Sequence, residues 1–298
     1  MTDIAVFGLG AMGYGIASSI LRAGHVTYGV DVVPAQMEKF RAAGGAAGEI
    51  ADVVETLDAV AVVVLNAAQT EAVLFGENGI VPRLKEGAVV MACATVPPDF
   101  AREMEARCAE HGVLYLDAPI SGGAAKAASG QLSIMASGSA AAFAAAKPVL
   151  DATAQTVFEL GDAAGAGSAM KAVNQLLAGV HIATMAEALT FGMTQGVTPD
   201  KFVEVISKCA GTSWMLENRA PHIVAGDYTP LSAVNIWPKD LGIVLDIAKK
   251  AQFSAPITAV ALQQFIAAAG MGHGWEDDAA VAKVYARNAG LTLPGEED

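Results

Sequence analysis

Lys171 lies near the start of a long apolar segment that follows Gly165 and Gly167, with Asn174 three residues on and Gln175 four. In an α-helix those offsets put the cation and both amides on one face. Strand and helix patterns alternate before this segment, and only helical patterns follow it. The segment is therefore expected to be a helix that joins two domains and presents Lys171 to the cleft between them. The alternative is a structural Lys171 paired with an acid on its own helix, although the helix dipole does not favour a cation near the start.

A second constellation lies at the N-terminus. Residues 4–7 read as a buried strand, followed by Gly8-Leu9-Gly10-Ala11-Met12-Gly13, a helix pattern that stops at Gly24, and a strand over 26–30 that ends at Asp31. A G-x-G-x-x-G run needs this strand–turn–helix–strand context to mean dinucleotide binding. One glycine makes the turn, one lets the backbone approach a pyrophosphate, and one lets the helix pack on the strand. The pyrophosphate takes the positive end of the helix. All six residues from Gly8 to Gly13 are expected cofactor contacts; the alternative is a glycine-containing turn that binds nothing. A carboxylate at Asp31 accepts from ribose hydroxyls and repels a 2′-phosphate, and Val32, Val33 and Pro34 supply no Arg, so NAD is favoured over NADP. Otherwise Asp31 is a helix cap.

The alternation continues with strands over 59–65, 88–92, 113–116, 131–136 and 155–159. Asn66 and Thr95 fall at strand carboxyl ends, where doubly wound sheets bind ligands; each is either a cofactor contact or a loop cap. The Ser121-Gly122-Gly123 loop offers a hydroxyl and backbone N–H groups suited to a carboxylate, or is simply a turn. Helices are expected over 199–207, 239–251, 256–269 and 277–288, with a loop through 211–230, a flexible loop at 270–274 and a tail lacking order at 293–298. The architecture expected is an α/β Rossmann-like N-terminal domain, 1–162, followed by an all-α C-terminal domain, 163–298, joined by the long inter-domain helix.

The chain has 298 residues, 53% hydrophobic and 16% charged, enough for two ordinary cores. A net charge of −13 argues against nucleic acid but leaves room for an anionic substrate held by a local cation. No uninterrupted apolar run approaches the ~18 residues of a membrane span, so the apolar surplus is expected in subunit contacts. Cys93, Cys108 and Cys209 are widely spaced and no histidine pair has metal-like spacing, so neither a disulfide framework nor a metal is expected. The N-terminus runs straight into a strand without a signal-peptide pattern, which points to a cytoplasmic setting.

Four motifs resemble the β-hydroxyacid dehydrogenase family in order and spacing, over essentially the whole chain: residues 8–13, 117–123, 165–171 and Lys239-Asp240-Leu241. That family includes 3-hydroxyisobutyrate dehydrogenase and tartronate semialdehyde reductase. Segments 174–182, 213–219, 227–234 and 272–278 look most like its L-threonate dehydrogenase branch. The resemblance implies Lys171 as acid/base and Asn174 orienting the substrate. Ser121, Gly122 and Gly123 would hold its carboxylate, with Lys239 close to substrate and cofactor. It also implies a homodimer or homotetramer through the helical domain. Some members carry Asn four residues after the lysine; here Gln175 stands there, so Asn174 and Gln175 compete for one role.

The implied activity is NAD-dependent oxidation of a small hydroxy acid, L-threonate to 2-oxo-3,4-dihydroxybutanoate. Reduction of 2-hydroxy-3-oxopropanoate and oxidation of 3-hydroxyisobutyrate are the alternatives. A free lysine has a pKa of about 10.4, so a base at neutral pH needs desolvation or a neighbouring cation such as Lys239. Lys171 argues against the related imine reductases, which commonly carry Asp or Tyr there. It argues equally against a non-catalytic dinucleotide-binding protein, which would typically have lost the lysine.

Overall fold

The computed structural model describes residues 1–296 as two compact units, Met1–Lys171 and the remainder from Ala172. Unit 1 begins with five parallel strands: β1 Asp3–Phe7, β2 Val26–Val30, β3 Ala59–Val62, β4 Val89–Ala92 and β5 Leu114–Asp117. They lie in the order β2-β1-β3-β4-β5, so the winding reverses between β1 and β3. Ligands of doubly wound sheets bind at that reversal, beyond the carboxyl ends of the strands. Helices α1 Ala11–Arg22, α2 Pro34–Ala42, α3 Ile50–Val53, α4 Ala67–Phe75 and α5 Pro98–Ala109 connect them.

The strands read as continuous apolar runs because both faces are covered. Ile4 and Val6 enter one core with Ile16, Ile20 and Met91. Ala5 and Phe7 enter the other with Val60, Val90 and Met104. A second sheet follows, of β6 Ile120–Ser121, β7 Leu132–Ala136 and β8 Ala154–Glu159, with α6 Gly123–Ser129 and α7 Ala140–Thr153. The expected Ser-Gly-Gly loop is thus partly ordered structure: Ser121 pairs with Ser133 across β6 and β7, and Gly123 opens α6.

The long helix is α8, Ala166–Thr194. The division between the units falls inside it, after Lys171. By length and composition alone α8 would pass for a membrane span. It nevertheless buries Ile182, Met185, Ala186 and Leu189 in the core of unit 2 and carries the buried polar side chains of Lys171, Gln175 and Thr190. A helix of that composition, packed in a core, satisfies the same length test.

Unit 2 adds α9 Pro199–Ile206, α10 Trp214–Ala225, α11 Ile236–Lys250, α12 Pro256–Ala268 and α13 Ala282–Ala289. Helix α10 corrects the loop expected over 211–230. Ser213 caps it by accepting from Leu216 N at 3.1 Å, and Gly226, at φ +63°, ends it, while Pro221 inside it masks the pattern. The flexible loop expected at 270–274 is instead a wide helical turn, Ala269–His273, interrupted by a kink at Gly272, whose φ of +98° is not helical. The tail is also more ordered than expected. Leu293 is 1% exposed in the unit 2 core, and only the last two residues fall outside the described part.

Asp278 anchors this unit. It is fully buried and accepts from Arg219 Nε at 2.6 Å and from Trp237 Nε1 at 2.9 Å, while Trp237 stacks on Phe265. Burial pushes its carboxyl above the usual range, the adjacent Asp277 adds to the rise, and the Arg219 guanidinium opposes it. Asp278→Ala should leave Arg219 buried without its counter-charge and lower stability by about 3–5 kcal/mol. Replacing both partners together, Arg219→Met with Asp278→Leu, should recover much of that loss in denaturant titrations.

Candidate active site

The glycine loop follows from steric constraints that the structure makes explicit. Gly8 has φ +92°, and a Cβ there would lie 2.3 Å from Val63 O. A Cβ on Gly13 would lie 1.7 Å from Gly8 O, so α1 can sit on β1 only with glycine at that point. Gly10 differs: a Cβ there would meet nothing within 4 Å. The fold does not require this glycine, yet it caps α1 without any side-chain bond to the first-turn amides. A bare, uncrowded helix start suits a pyrophosphate, so the loop fits a dinucleotide.

Asp31 Oδ2 accepts from Leu9 N at 2.6 Å, and Oδ1 accepts from Val33 N at 2.8 Å. The carboxylate therefore ties the end of β2 to the glycine loop. It retains acceptor capacity, since a carboxylate has about four lone-pair sites. Val32 and Val33 beside it are exposed. Asn66 uses Oδ1 to cap α4, accepting from Gln69 N at 2.9 Å. Thr95 is half-buried in the segment after β4.

Lys171 is positioned by a buried carboxylate that the sequence reading did not single out. Asp117, at the end of β5, is 1% exposed. Its Oδ2 accepts from Gly165 N at 2.9 Å and Ser168 N at 2.8 Å, and its Oδ1 accepts from Ser168 Oγ at 2.7 Å. Ser137 Oγ donates to Asp117 Oδ2 and accepts from Gly167 N at 2.9 Å. The amides of Gly165, Gly167 and Ser168 at the start of α8 are thereby satisfied, and negative charge sits at the positive helix end. Burial pushes the Asp117 carboxyl above its usual range, and these donors pull it back.

Close approach requires Gly165, at φ +108°, and Gly167, where a Cβ would stand 2.4 Å from Met135 O. One turn further on, Lys171 is 8% exposed and donates from Nζ to Ile120 O at 2.8 Å. Its ammonium therefore sits on the carbonyl immediately before Ser121. Gly122 and Gly123 follow at φ +132° and +77°, conformations that favour glycine.

Unit 2 holds a second polar group. Asn174 Nδ2 donates to Gln175 Oε1 at 2.9 Å, and Gln175 Nε2 donates to Asp240 Oδ2. Lys239 pairs with Asp240 Oδ1 at 2.7 Å. The amide of Gln175 is thus engaged at both ends, while Asn174 is half-buried and engaged through its nitrogen. Asp240 also escaped the sequence reading, beyond its place in the Lys239-Asp240-Leu241 motif. His222 and His273 lie against Asp277 at 3.1 Å and Glu276 at 2.9 Å.

Known proteins resemble the chain over most of its length. Residues 3–161 match the family described as the NAD binding domain of 6-phosphogluconate dehydrogenase. Residues 165–285 match that described as NAD-binding of NADP-dependent 3-hydroxyisobutyrate dehydrogenase. The chain is 52% identical to an L-threonate dehydrogenase of Cupriavidus necator, covering 99% of each. It is 48% identical to that of Pectobacterium atrosepticum, covering 99% of this chain and 97% of the relative. A solved 3-hydroxyisobutyrate dehydrogenase from Salmonella typhimurium superposes with a TM-score of 0.90 at 45% identity, covering 95% of this chain and all of that one.

The glycines separate fold from binding. Gly13→Ala should destabilise unit 1 by about 1–3 kcal/mol through overpacking. Gly10→Ala should melt within a degree or two of the parent yet raise the dinucleotide Kd at least about tenfold, because its methyl occupies the open side of the helix start. Thermal denaturation and cofactor fluorescence titration check the pair.

Proposed function

The chain belongs to the β-hydroxyacid dehydrogenase family typified by 3-hydroxyisobutyrate dehydrogenase, and on that premise we propose that it oxidises L-threonate to 2-oxo-3,4-dihydroxybutanoate. The observation that carries the reading is the buried Lys171 ammonium on the Ile120 carbonyl, next to Ser121-Gly122-Gly123. That arrangement occurs in a chain about half identical, over its full length, to L-threonate dehydrogenases.

When bound, the nicotinamide takes up the hydride. The chain supplies binding and proton transfer. Ser121 Oγ and the amides of Gly122 and Gly123 hold the substrate carboxylate. Lys171, as the neutral amine, accepts the proton of the reacting hydroxyl; in reduction its ammonium returns that proton and steadies the developing alkoxide. Asn174 orients the substrate, and Lys239 lies near substrate and cofactor. Gly8, Leu9, Gly10, Ala11, Met12 and Gly13 receive the pyrophosphate, with Asn66 and Thr95 as further cofactor contacts. NAD rather than NADP is the cofactor in this reading, because Asp31 repels a 2′-phosphate and its exposed neighbours Val32 and Val33 supply no cation. Exposed Ile257 and Val260 on α12 support a homodimer or homotetramer through the helical domain, and the setting proposed is cytoplasmic.

A panel of C3–C5 hydroxy acids with NAD and with NADP, followed at the NADH absorbance, tests the assignment. L-Threonate with NAD should give the highest kcat/KM. Lys171→Ala should bind NAD normally while turnover falls by about 10³-fold or more. Turnover confined to 3-hydroxyisobutyrate or 2-hydroxy-3-oxopropanoate would reassign the substrate. Near-normal turnover by Lys171→Ala would remove the lysine from the mechanism.

A further inference from the structure

The polar side chains that follow Lys171 on α8 form a chain with a direction. Asp240 on α11 is 2% exposed, and an ionised carboxylate can only accept hydrogen bonds. Gln175, 7% exposed, must therefore turn Nε2 toward Asp240 and leave Oε1 for its other neighbour. Asn174 meets that oxygen with Nδ2, which makes Oδ1 the acceptor end of the chain. An amide turned through 180° has almost the same shape, so packing alone cannot choose between its two orientations. The charge of Asp240 makes the choice, and Gln175 transmits it.

We propose that Gln175 is a positioning residue that fixes the polarity of the Asn174 amide, so that Asn174 Oδ1 accepts from a second hydroxyl of the substrate, the one beside the reacting carbon. The inference rests on the reading of Asn174 as a substrate-orienting residue. The reacting hydroxyl gives its proton to Lys171, so an acceptor at Asn174 suits a hydroxyl that keeps its proton. The substrate class selected is a polyhydroxy acid over one bearing hydrogen or methyl at that carbon. A site built to hydrogen-bond a hydroxyl rejects the analogue lacking it far more strongly than an apolar site rejects a missing methylene, because its polar group is left unpaired.

The test is the ratio of kcat/KM for L-threonate to that for 2,4-dihydroxybutanoate, which lacks the second hydroxyl. Wild type should favour L-threonate by about 100-fold or more. Gln175→Leu frees the Asn174 amide to turn and should cut that ratio at least about tenfold, chiefly through the KM for L-threonate. A purely structural role would lower both substrates alike and leave the ratio unchanged.

Gln175→Glu gives an independent readout that keeps the shape. Protonated, the new side chain donates to Asp240 and accepts from Asn174 as glutamine does; ionised, it loses the bond to Asp240 but still accepts from Asn174 Nδ2, because a carboxylate only accepts. An acceptor faces Asn174 Nδ2 in either state, so this variant should keep a ratio near that of wild type where Gln175→Leu loses it. Absence of wild-type turnover on either acid overturns the proposed function and this inference with it. Wild-type turnover without discrimination, or a ratio unmoved by Gln175→Leu, overturns this inference alone.

Discussion

The carboxylate of Asp117 lies beneath the first turn of α8, and the surroundings of Lys171 depend on it. A helix start exposes free amides and a positive dipole end, and burying either unmatched is costly. Asp117 answers the amides of Gly165 and Ser168 and the Ser168 hydroxyl, while Ser137 answers Gly167. The same short stretch of chain then provides Ile120 O for the Lys171 ammonium. Asp117 and Ile120 thus hold one helix at two points a turn apart. The glycines at 165 and 167 are the steric condition for that approach, since residue 165 holds φ +108° and a side chain at 167 would strike the Met135 carbonyl.

Unit 2 uses buried acids in two further ways. Asp278 joins Arg219 of α10 to Trp237 of α11, and the charge and the indole N–H are both matched inside an apolar core. Asp240 is matched by Lys239 and Gln175. The first arrangement locks helices together. The second gives direction to a row of amides that have no directional preference of their own.

Most of the fold was legible in the sequence because its signals are local. Buried strands appear as apolar runs, and the glycine loop follows from turn and packing constraints within a few residues of itself. Helix α10 was hidden because Pro221 interrupts its pattern and its cap, Ser213, resembles an ordinary loop serine. The strand expected over 59–65 ends at Val62, and Asn66 beyond it caps α4, a role that the sequence left open beside cofactor contact. The wide turn at Ala269–His273 was obscured because its glycines read as a flexible loop.

The sequence by itself determined the spacing of chemistry along each element. Lys171, Asn174 and Gln175 must share a helical face, and Gly8, Gly10 and Gly13 must fall within one strand–helix turn, because backbone periodicity fixes what neighbours a few residues apart can do. Only the tertiary structure decided the partners. Ser168 finds Asp117 across 51 residues of sequence, and Gln175 finds Asp240 across 65. Those pairings select which end of an amide faces outward and where a lysine rests, and they are set by packing between distant segments, which no local pattern encodes.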